Sequence, residues 1–275
     1  MKNNCSKHKY KLYLCIIILL ILVNSIFTLK LVFNYRHKKN SKKFKPAFNT
    51  TLKSNKDKNK KYVYLTFDDG PTYVVTDQIL DVLKKNNVKA TFFIVGKEIP
   101  EKEHILTRIH EEGHSIGLHT YSHDAKKIYS NKENFIKEMT KTQKKIEDLL
   151  GFKSKIIRCP WGIHNIYNKL GSSLINEIHK NDLKIYDWNC SLEDGLNPNL
   201  STKRLFDNSK IVKEGYTNNV IILAHCNFNN KNTVKVLPKI IKYYKNLGYE
   251  FKPITESTPE YYIESKCNKN LNFKN

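Results

Sequence analysis

The segment YVYLTFDDGP, residues 62–71, joins an apolar run to two adjacent carboxylates and a turn. A short run of aromatic and β-branched residues predicts a buried β-strand. Asp68 and Asp69 would then stand at the carboxyl end of that strand. An Asp pair before Gly and Pro is also good turn chemistry. Whether the two aspartates also have a chemical function must therefore be judged from the rest of the chain.

Six further apolar runs follow this one, and a helical pattern lies between successive runs. Such alternation predicts an α/β fold with a parallel sheet and helices outside it. Seven units in about 200 residues predict a barrel, with a doubly wound sheet as the alternative. The runs are 89–95, 115–120, 154–158, 183–188, 219–225 and 249–254, and the helical patterns are 73–86, 99–112, 131–150, 166–180, 201–214 and 233–247.

The polar residues that end these runs carry chemistry. In a parallel barrel the carboxyl ends of all strands open on one face, where barrel active sites lie. The sequence therefore predicts one site that collects residues from five strands. These residues are Asp68, Asp69, His119, Arg158, Asp187 and His225.

The segment HTYSH, residues 119–123, spaces two histidines at i and i+4. That spacing suits one metal ion but is weak evidence alone, because it is more often accidental. Asp68 or Asp69 can supply a third, oxygen ligand. Two histidines and one carboxylate leave an open coordination position, which is typical of a catalytic metal.

Other strand ends predict supporting roles, each with a structural alternative. Arg158 can orient a carboxylate base, or simply form an ion pair. The turn CPWG at 159–162 can present a backbone N–H to an oxyanion. His225 can be a general acid, with Asp187 raising its pKa, or a satisfied core histidine. Trp188 can wall a substrate groove or pack in the core.

The formal charge of +22 is concentrated at the N-terminus, since residues 1–61 hold 16 Lys or Arg and one acid, Asp57. The remaining chain shows no continuous basic stripe, so we expect no nucleic-acid partner. Residues 12–29 carry no charge and predict an uncleaved transmembrane signal anchor within 1–33. A cleaved signal peptide, which would give a secreted form, is the alternative. Residues 34–60 are a basic, Lys- and Asn-rich linker.

Six cysteines are present and none forms a CxxC pair, which argues against a disulfide framework. We expect buried free thiols, with a bridge between Cys190 and Cys226 as the less favoured alternative.

Five motifs together resemble the polysaccharide deacetylases with the NodB homology domain, carbohydrate esterase family 4. They occur in order across about residues 61–254, which leaves 255–275 as a C-terminal tail. The resemblance implies a distorted, incomplete (β/α)7 barrel of parallel strands. The motifs are TFDDG at 66–70, HTYSH at 119–123, RCPWG at 158–162, DW at 187–188 and LAH at 223–225.

The resemblance also implies roles for individual residues. Asp69, His119 and His123 would hold one divalent metal, usually zinc and sometimes cobalt or nickel. Asp68 would be the general base and His225 the general acid, oriented or tuned by Arg158 and Asp187. The N–H of Trp161 would form part of an oxyanion hole, with Trp188 and Leu223 at the substrate. Two positions depart from the family pattern, Lys184 before the fourth motif and Cys226 after the fifth.

The activity implied is removal of acetyl groups from sugars. An anchored body outside the cell membrane would face the wall, so we expect N-acetylglucosamine of peptidoglycan as the substrate and a monomeric enzyme. Chitin oligomers, a poly-N-acetylglucosamine matrix or acetylated xylan are alternative substrates. A catalytically inactive wall-binding module is the alternative from a different class.

Overall fold

The computed structural model describes residues 60–262, and within this range the strands form one parallel sheet. Most of the strands are short, and the longest, β1, carries the aspartate pair just before its last residue. The strands are β1 (Lys61–Gly70), β2 (Thr91–Ile94), β3 (Ser115–Leu118), β4 (Ile156–Ile157), β5 (Lys184–Ile185), β6 (Cys190–Ser191), β7 (Asn219–His225) and β8 (Tyr249–Phe251).

Helices connect the strands on the outside of the sheet, as the sequence predicts. A short 3₁₀ helix, Gly96–Glu98, follows β2. The α-helices are α1 (Val75–Lys85), α2 (Glu103–Glu111), α3 (Ala125–Ile128), α4 (Lys132–Leu150), α5 (Ser172–Lys180), α6 (Thr202–Asn208) and α7 (Lys231–Asn246).

The strand order is β5-β4-β3-β2-β1-β7-β6, with β8 paired to the start of β1. The two end strands, β5 and β6, are separated along the chain by only residues 186–189. Five residue steps span at most about 18 Å, so the sheet must curl until its two ends approach. The predicted parallel α/β barrel is confirmed as a curled, incomplete barrel in which a piece of chain, not strand pairing, joins the ends.

The strand count differs from the seven expected, because eight strands are present in residues 60–262. The run 183–188, predicted as one strand, pairs with β4 only at Lys184–Ile185. The chain then crosses to the other end of the sheet, where Cys190 and Ser191 pair with β7. The extra strand β6 therefore comes from the crossing, and two residues are too few to show a period in the sequence.

Strand β1 shows how the two faces of the sheet are used. Side chains alternate between faces along a strand. Val63, Leu65 and Phe67 pack in the large core between sheet and helices. Tyr64 lies on the other face, in a small apolar cluster inside the barrel. The same inner face continues upward through polar Thr66 to Asp68, so the inner, polar positions of β1 lead into the site.

Helix α4 shows why the helices cover the sheet. Its N-cap, Asn131, accepts a hydrogen bond from the backbone of Asn134 at 2.7 Å, and Gly151 ends the helix with a φ of 75°. Its buried residues recur at helical spacing, which gives one apolar stripe facing the core. They are Phe135, Met139, Thr142, Gln143 and Ile146.

The body extends beyond the predicted boundary at residue 254. Tyr261 forms a parallel bridge with Tyr186, and the Glu260 carboxylate accepts a hydrogen bond from the Ile185 N–H at 2.6 Å. Residues 255–262 thus cover β5 and are part of the folded body. The predicted anchor at 1–33 and nearly all of the linker lie outside the described residues, and no helix within 60–262 is long and apolar enough to span a membrane.

The three cysteines of the body are free and buried, as predicted. Cys190 and Cys226 do not form the alternative bridge. Burial raises the pKa of both thiols, and that of Cys159, well above the ordinary value. These thiols therefore behave as small apolar groups and not as nucleophiles.

Candidate metal and active site

A β-bulge turns the aspartate pair toward one site. Asp68 pairs with Phe93 and Gly70 with Ile94, so Asp69 is an extra residue in β1. In a regular strand neighbouring side chains point to opposite faces. The bulge and the positive φ of Asp69, 71°, re-aim its side chain. As a result Asp68 Oδ2 lies 3.8 Å and Asp69 Oδ1 3.7 Å from the same atom, His119 Nε2.

Asp69, His119 and His123 form a group that could hold a metal ion. Asp69 Oδ1 lies 3.4 Å from His123 Nε2. Two ligand atoms that each bind the same zinc ion at about 2.0–2.2 Å lie about as far from each other as these two atoms do. Among residues 60–262 Asp69 Oδ1 is also a buried oxygen with no hydrogen-bond partner. Burying such a group is costly unless something pairs with it, so the donor set fits a divalent cation.

His119 is prepared to act as a ligand. Its Nδ1 lies 2.8 Å from the backbone oxygen of Arg158. Because that oxygen can only accept, the Nδ1–H of His119 is the donor. This bond leaves the lone pair on Nε2, the atom that faces Asp69. Burial, with the nearby His123 charge, lowers the pKa of His119 to about 3. The imidazole is therefore neutral and free to coordinate.

Four of the nine non-glycine residues with positive φ in residues 60–262 belong to this group or to the loops beside it. Asp69, Thr120, His123 and Trp161 all have positive φ values, between 51° and 71°, although none is glycine. A non-glycine residue in this region costs on the order of 1–3 kcal/mol and persists only where the surroundings impose it. The surroundings therefore hold these four residues in conformations that no pattern in the sequence predicts.

Arg158 is fully buried beneath Asp68. Its Nη1 donates to Asp68 Oδ1 at 2.9 Å and to Thr66 Oγ1 at 2.6 Å, while Nε and Nη2 donate to the backbone oxygens of Tyr186 and Asp187. The guanidinium also lies over the Phe93 ring. With these partners Arg158 fixes one oxygen of Asp68 and leaves the other facing the histidines, as the predicted orienting role requires.

The pKa of Asp68 reflects this position. Burial raises it, while the charges of Arg158 and His225 act in the opposite direction. A carboxylate with a raised pKa is a stronger base than one in water. Asp68 is thus suited to accept a proton through the oxygen that Arg158 does not hold.

His225 is paired with Asp194 and not with Asp187. Its Nδ1 lies 2.9 Å from Asp194 Oδ1, and its backbone N–H donates to Asp194 Oδ2 at 3.0 Å. Thr233 donates to the same carboxylate at 2.7 Å, which holds it in place. Burial lowers the pKa of His225, but the hydrogen bond and charge of Asp194 outweigh this effect and, with Asp68 and Asp69, raise it to about 9. Predicting Asp187 as the tuning residue was therefore wrong.

Gly195 follows Asp194 and passes directly over the imidazole of His225. A Cβ at this position would lie 2.3 Å from His225 Cε1. Only glycine leaves the ring where Asp194 holds it.

Replacing Asp194 with Asn should move the alkaline limb of the pH–rate profile to lower pH. The predicted role of His225 is that of a general acid, which must be protonated, so activity would be lost as pH rises through the pKa of His225. Because Asp194 raises the pKa of His225, its neutralisation lowers that pKa and narrows the active range from the alkaline side. The measurement is kcat/KM against pH for both proteins. Unchanged profiles would contradict the pairing, and Asp207→Asn, at a partly exposed position on α6, is the control.

Asp187 supports the loop that carries Trp161. Its Oδ2 accepts a hydrogen bond from the Ile163 N–H at 3.3 Å, and its backbone oxygen accepts from Arg158. Burial raises the pKa of Asp187 to about 6. Asp187 is thus a positioning residue between Arg158 and the turn at 159–163, which explains its place at a strand end without a contact to His225.

The three predicted substrate-side residues lie in different settings. Trp161 is 44% exposed, and its ring centroid lies 4.7 Å from that of His123. Trp188 is partly buried against the inner apolar cluster, with the Arg158 guanidinium 5.8 Å from its ring. Leu223 is buried in β7, two residues before His225 and hence on the same face. Trp161 stands at the opening, whereas the other two lie deeper.

Asp194 and Thr66 are the residues that sequence reasoning missed. Asp194 follows β6, so recognising that two-residue strand would have placed it among the other strand-end groups. Thr66 Oγ1 accepts from Arg158 and donates to the Ile222 oxygen at 2.7 Å. A lone threonine inside an apolar strand carries no signal for such a role.

Comparisons with known proteins show what this chain is similar to. A family model described as polysaccharide deacetylase matches residues 55–174. A peptidoglycan-N-acetylglucosamine deacetylase of Bacillus cereus is 31% identical over 205 residues, which are 73% of this chain and 72% of that protein. Deacetylase PgdA of Listeria monocytogenes, with the same activity in its name, is 33% identical over 218 residues, 78% of this chain but only 43% of that protein.

A solved structure shows the same fold. The catalytic domain of a peptidoglycan N-acetylglucosamine deacetylase from Eubacterium rectale superimposes with a TM-score of 0.70 at 30% identity. The match covers 79% of this chain and 97% of that domain. The likeness therefore extends over the curled barrel and not over one motif alone.

Proposed function

Because the chain belongs to the polysaccharide deacetylase family, we propose that it is a metal-dependent hydrolase that removes N-acetyl groups from N-acetylglucosamine of peptidoglycan. One observation carries the proposal. The group Asp69, His119 and His123 lies beside two separate proton-handling pairs, Asp68 with Arg158 and His225 with Asp194. Asp68 and His225 are register partners on β1 and β7, so a base and an acid face the same opening.

The residues divide the work of amide hydrolysis. A divalent ion held by Asp69, His119 and His123, with zinc favoured and cobalt or nickel as alternatives, would polarise the acetyl carbonyl and acidify water. Asp68 takes a proton from the attacking water through Oδ2. His225 gives a proton through Nε2 to the departing sugar nitrogen, since Nδ1 is held by Asp194. The C–N bond breaks, and acetate and a free amine are released.

The oxyanion and substrate roles complete the proposal. The positive φ of Trp161 turns its backbone at the opening, where its N–H would donate to the developing oxyanion. Leu223 and Trp188 would line the acetyl side of the site. These assignments follow from the loop positions and the motif match.

The substrate proposal draws on the relatives and on the charge distribution. Two of the relatives carry peptidoglycan N-acetylglucosamine deacetylase in their names. We propose that residues 1–33 anchor a monomeric catalytic body outside the cell membrane, on a basic linker that faces the anionic envelope. A secreted form would result if the N-terminus were cleaved.

Acetate release from a glycan panel tests the proposal. The chain 1–275, purified in detergent and loaded with zinc, should release acetate from peptidoglycan faster than from chitin oligomers, poly-N-acetylglucosamine or acetylated xylan. A preference for poly-N-acetylglucosamine or xylan would contradict peptidoglycan as the substrate but not the proposed deacetylation. No release from any glycan and no bound metal would instead support an inactive wall-binding module.

A further inference from the structure

The loop that carries both histidines has no helical turn to align them. The spacing of His119 and His123 is that of neighbours on one side of a helix, yet residues 119–124 are not helical. Their Nε2 atoms nevertheless face one atom, Asp69 Oδ1, at 3.7 Å and 3.4 Å. Thr120 and His123 reach this arrangement with positive φ values of 64° and 51°. Because such conformations persist only where the surroundings impose them, other residues must hold the loop.

The two histidines are oriented in different ways. His119 continues β3, and its Nδ1 bonds to the backbone oxygen of Arg158. Within residues 60–262 no hydrogen bond holds the imidazole of His123, although its backbone N–H is bonded. A metal-binding histidine is usually oriented by a hydrogen bond from its second ring nitrogen. His123 must therefore be aimed by the backbone of its loop.

A carboxylate of helix α4 binds this backbone. Glu138 Oε2 accepts hydrogen bonds from the N–H groups of Tyr121 and Ser122, at 3.1 Å and 2.6 Å. Tyr121 and Ser122 are the two residues that lie between Thr120 and His123, where φ is positive. Hydrogen bonds to a carboxylate are stronger than those between neutral groups. Glu138 therefore fixes the middle of the loop, and the backbone on each side keeps its unusual conformation.

Helix α4 contacts the loop at two further points. Thr142, one turn after Glu138, donates to the Thr120 oxygen at 2.7 Å. Lys141 Nζ lies 3.5 Å from the centroid of the Tyr121 ring, which is a cation–π contact. These contacts pack the loop against the helix, but neither involves the N–H groups that Glu138 binds. Among the described residues Glu138 is thus the acceptor for both N–H groups.

We infer that Glu138 is a positioning residue for the proposed metal site, and that it holds the loop 119–123 so that His123 faces the same ion as His119. This inference rests on the proposed function, which places a divalent ion at these histidines. Glu138 acts through the backbone of the loop and supplies no ligand atom. Its loss should therefore weaken the binding of the metal without removing a ligand.

Zinc affinity tests the inference independently of turnover. It is measured on the chain 1–275, purified in detergent, by competition with a chromophoric chelator. The visible absorption spectrum of the cobalt-substituted protein reports the coordination geometry. Glu138→Ala and Glu138→Met remove the acceptor but keep α4, since both new residues favour a helix. Each should weaken zinc binding about 10- to 100-fold, as the loss of residues that orient metal ligands typically does, and should alter the cobalt spectrum.

Glu138→Gln should restore most of the lost affinity. Both hydrogen bonds go to one atom, Oε2, and the amide oxygen of glutamine can accept both in its place. Only the negative charge is lost. If Glu138 acted through its charge alone, the glutamine variant would resemble Glu138→Ala. A positioning role instead predicts that its zinc affinity and its cobalt spectrum lie closer to those of the wild type.

Glu147→Ala is the matched control. Glu147 is also a partly buried glutamate of α4, but it lies nine residues further along, on the other side of the buried stripe from Glu138. This variant should bind zinc like the wild type, and the Tm of each metal-free protein checks its folding.

The outcomes separate the inference from the proposed function. Unchanged zinc affinity and cobalt spectrum in Glu138→Ala and Glu138→Met would overturn the inference, as would a glutamine variant that binds zinc as weakly as they do. A wild type that bound no zinc would overturn the proposed metal site and the inference with it. A wild type that bound zinc but released no acetate would overturn the proposed hydrolysis alone, because the affinities of the variants would still decide the role of Glu138.

Discussion

Asp69→Ala and His119→Ala are each expected to abolish both metal binding and turnover. Each variant removes one of the three side chains that could hold the ion. A catalytic metal supplies several kcal/mol of charge stabilisation, so we expect acetate release to fall by about 10³-fold or more. The measurements are metal content after dialysis and acetate release from N-acetylglucosamine oligomers.

Thermal stability supplies an independent readout. A ligand that binds only the folded state stabilises it, so zinc should raise the Tm of the wild type. Neither variant should respond to zinc. Asp148→Ala and His104→Ala, at exposed positions on α4 and α2, are controls that should bind zinc and respond like the wild type. A variant at Asp69 or His119 that keeps one bound metal and normal turnover would refute the ligand assignment.

Asp68→Asn is expected to abolish turnover while sparing the metal. The amide oxygen can still accept the hydrogen bond from Arg158 Nη1, so the buried pair keeps its geometry. The amide nitrogen, however, cannot take a proton in place of Oδ2. Loss of a general base lowers kcat by about 10²- to 10⁴-fold. The measurements are kcat and metal content on the same preparation.

Asp187→Asn is the matched comparison for this variant. Asp187 is also buried and also close to Arg158, but its side chain bonds to the turn at 159–163 and not to the histidines. Asp187→Asn should therefore lower kcat much less than Asp68→Asn does. If both variants lost the same activity, or if Asp68→Asn kept its turnover, Asp68 would not be the base.

The predicted site residues could be found from sequence because of how a parallel sheet is built. His119 lies near the end of one apolar run, and Arg158 and His225 each end another, so their convergence follows once the strands are parallel. The three buried free thiols were expected because the sequence has no CxxC pair and free cysteine is commonly buried. In both cases a pattern in the local sequence, combined with one general property of folded proteins, is enough to make the prediction.

Other features needed the folded chain. Asp194 meets His225 only because the chain crosses from β5 to β6, which brings the loop after Ser191 beside β7. The joint use of Asp68 and Asp69 depends on a bulge that one strand sequence does not reveal. Arg158 finds four partners that are remote in sequence, so its full burial could not be read from its neighbours.

The sequence by itself determined the alternation of strands and helices, the identity of the proposed ligands and the family. It could do so because periodicity and motif spacing are local properties of the chain. Only the tertiary structure decided which carboxylate serves His225, how adjacent aspartates face one site and which aromatic residues flank it. These are distances between residues far apart in the chain, and they are set by sheet curvature, a bulge and the paths of the loops.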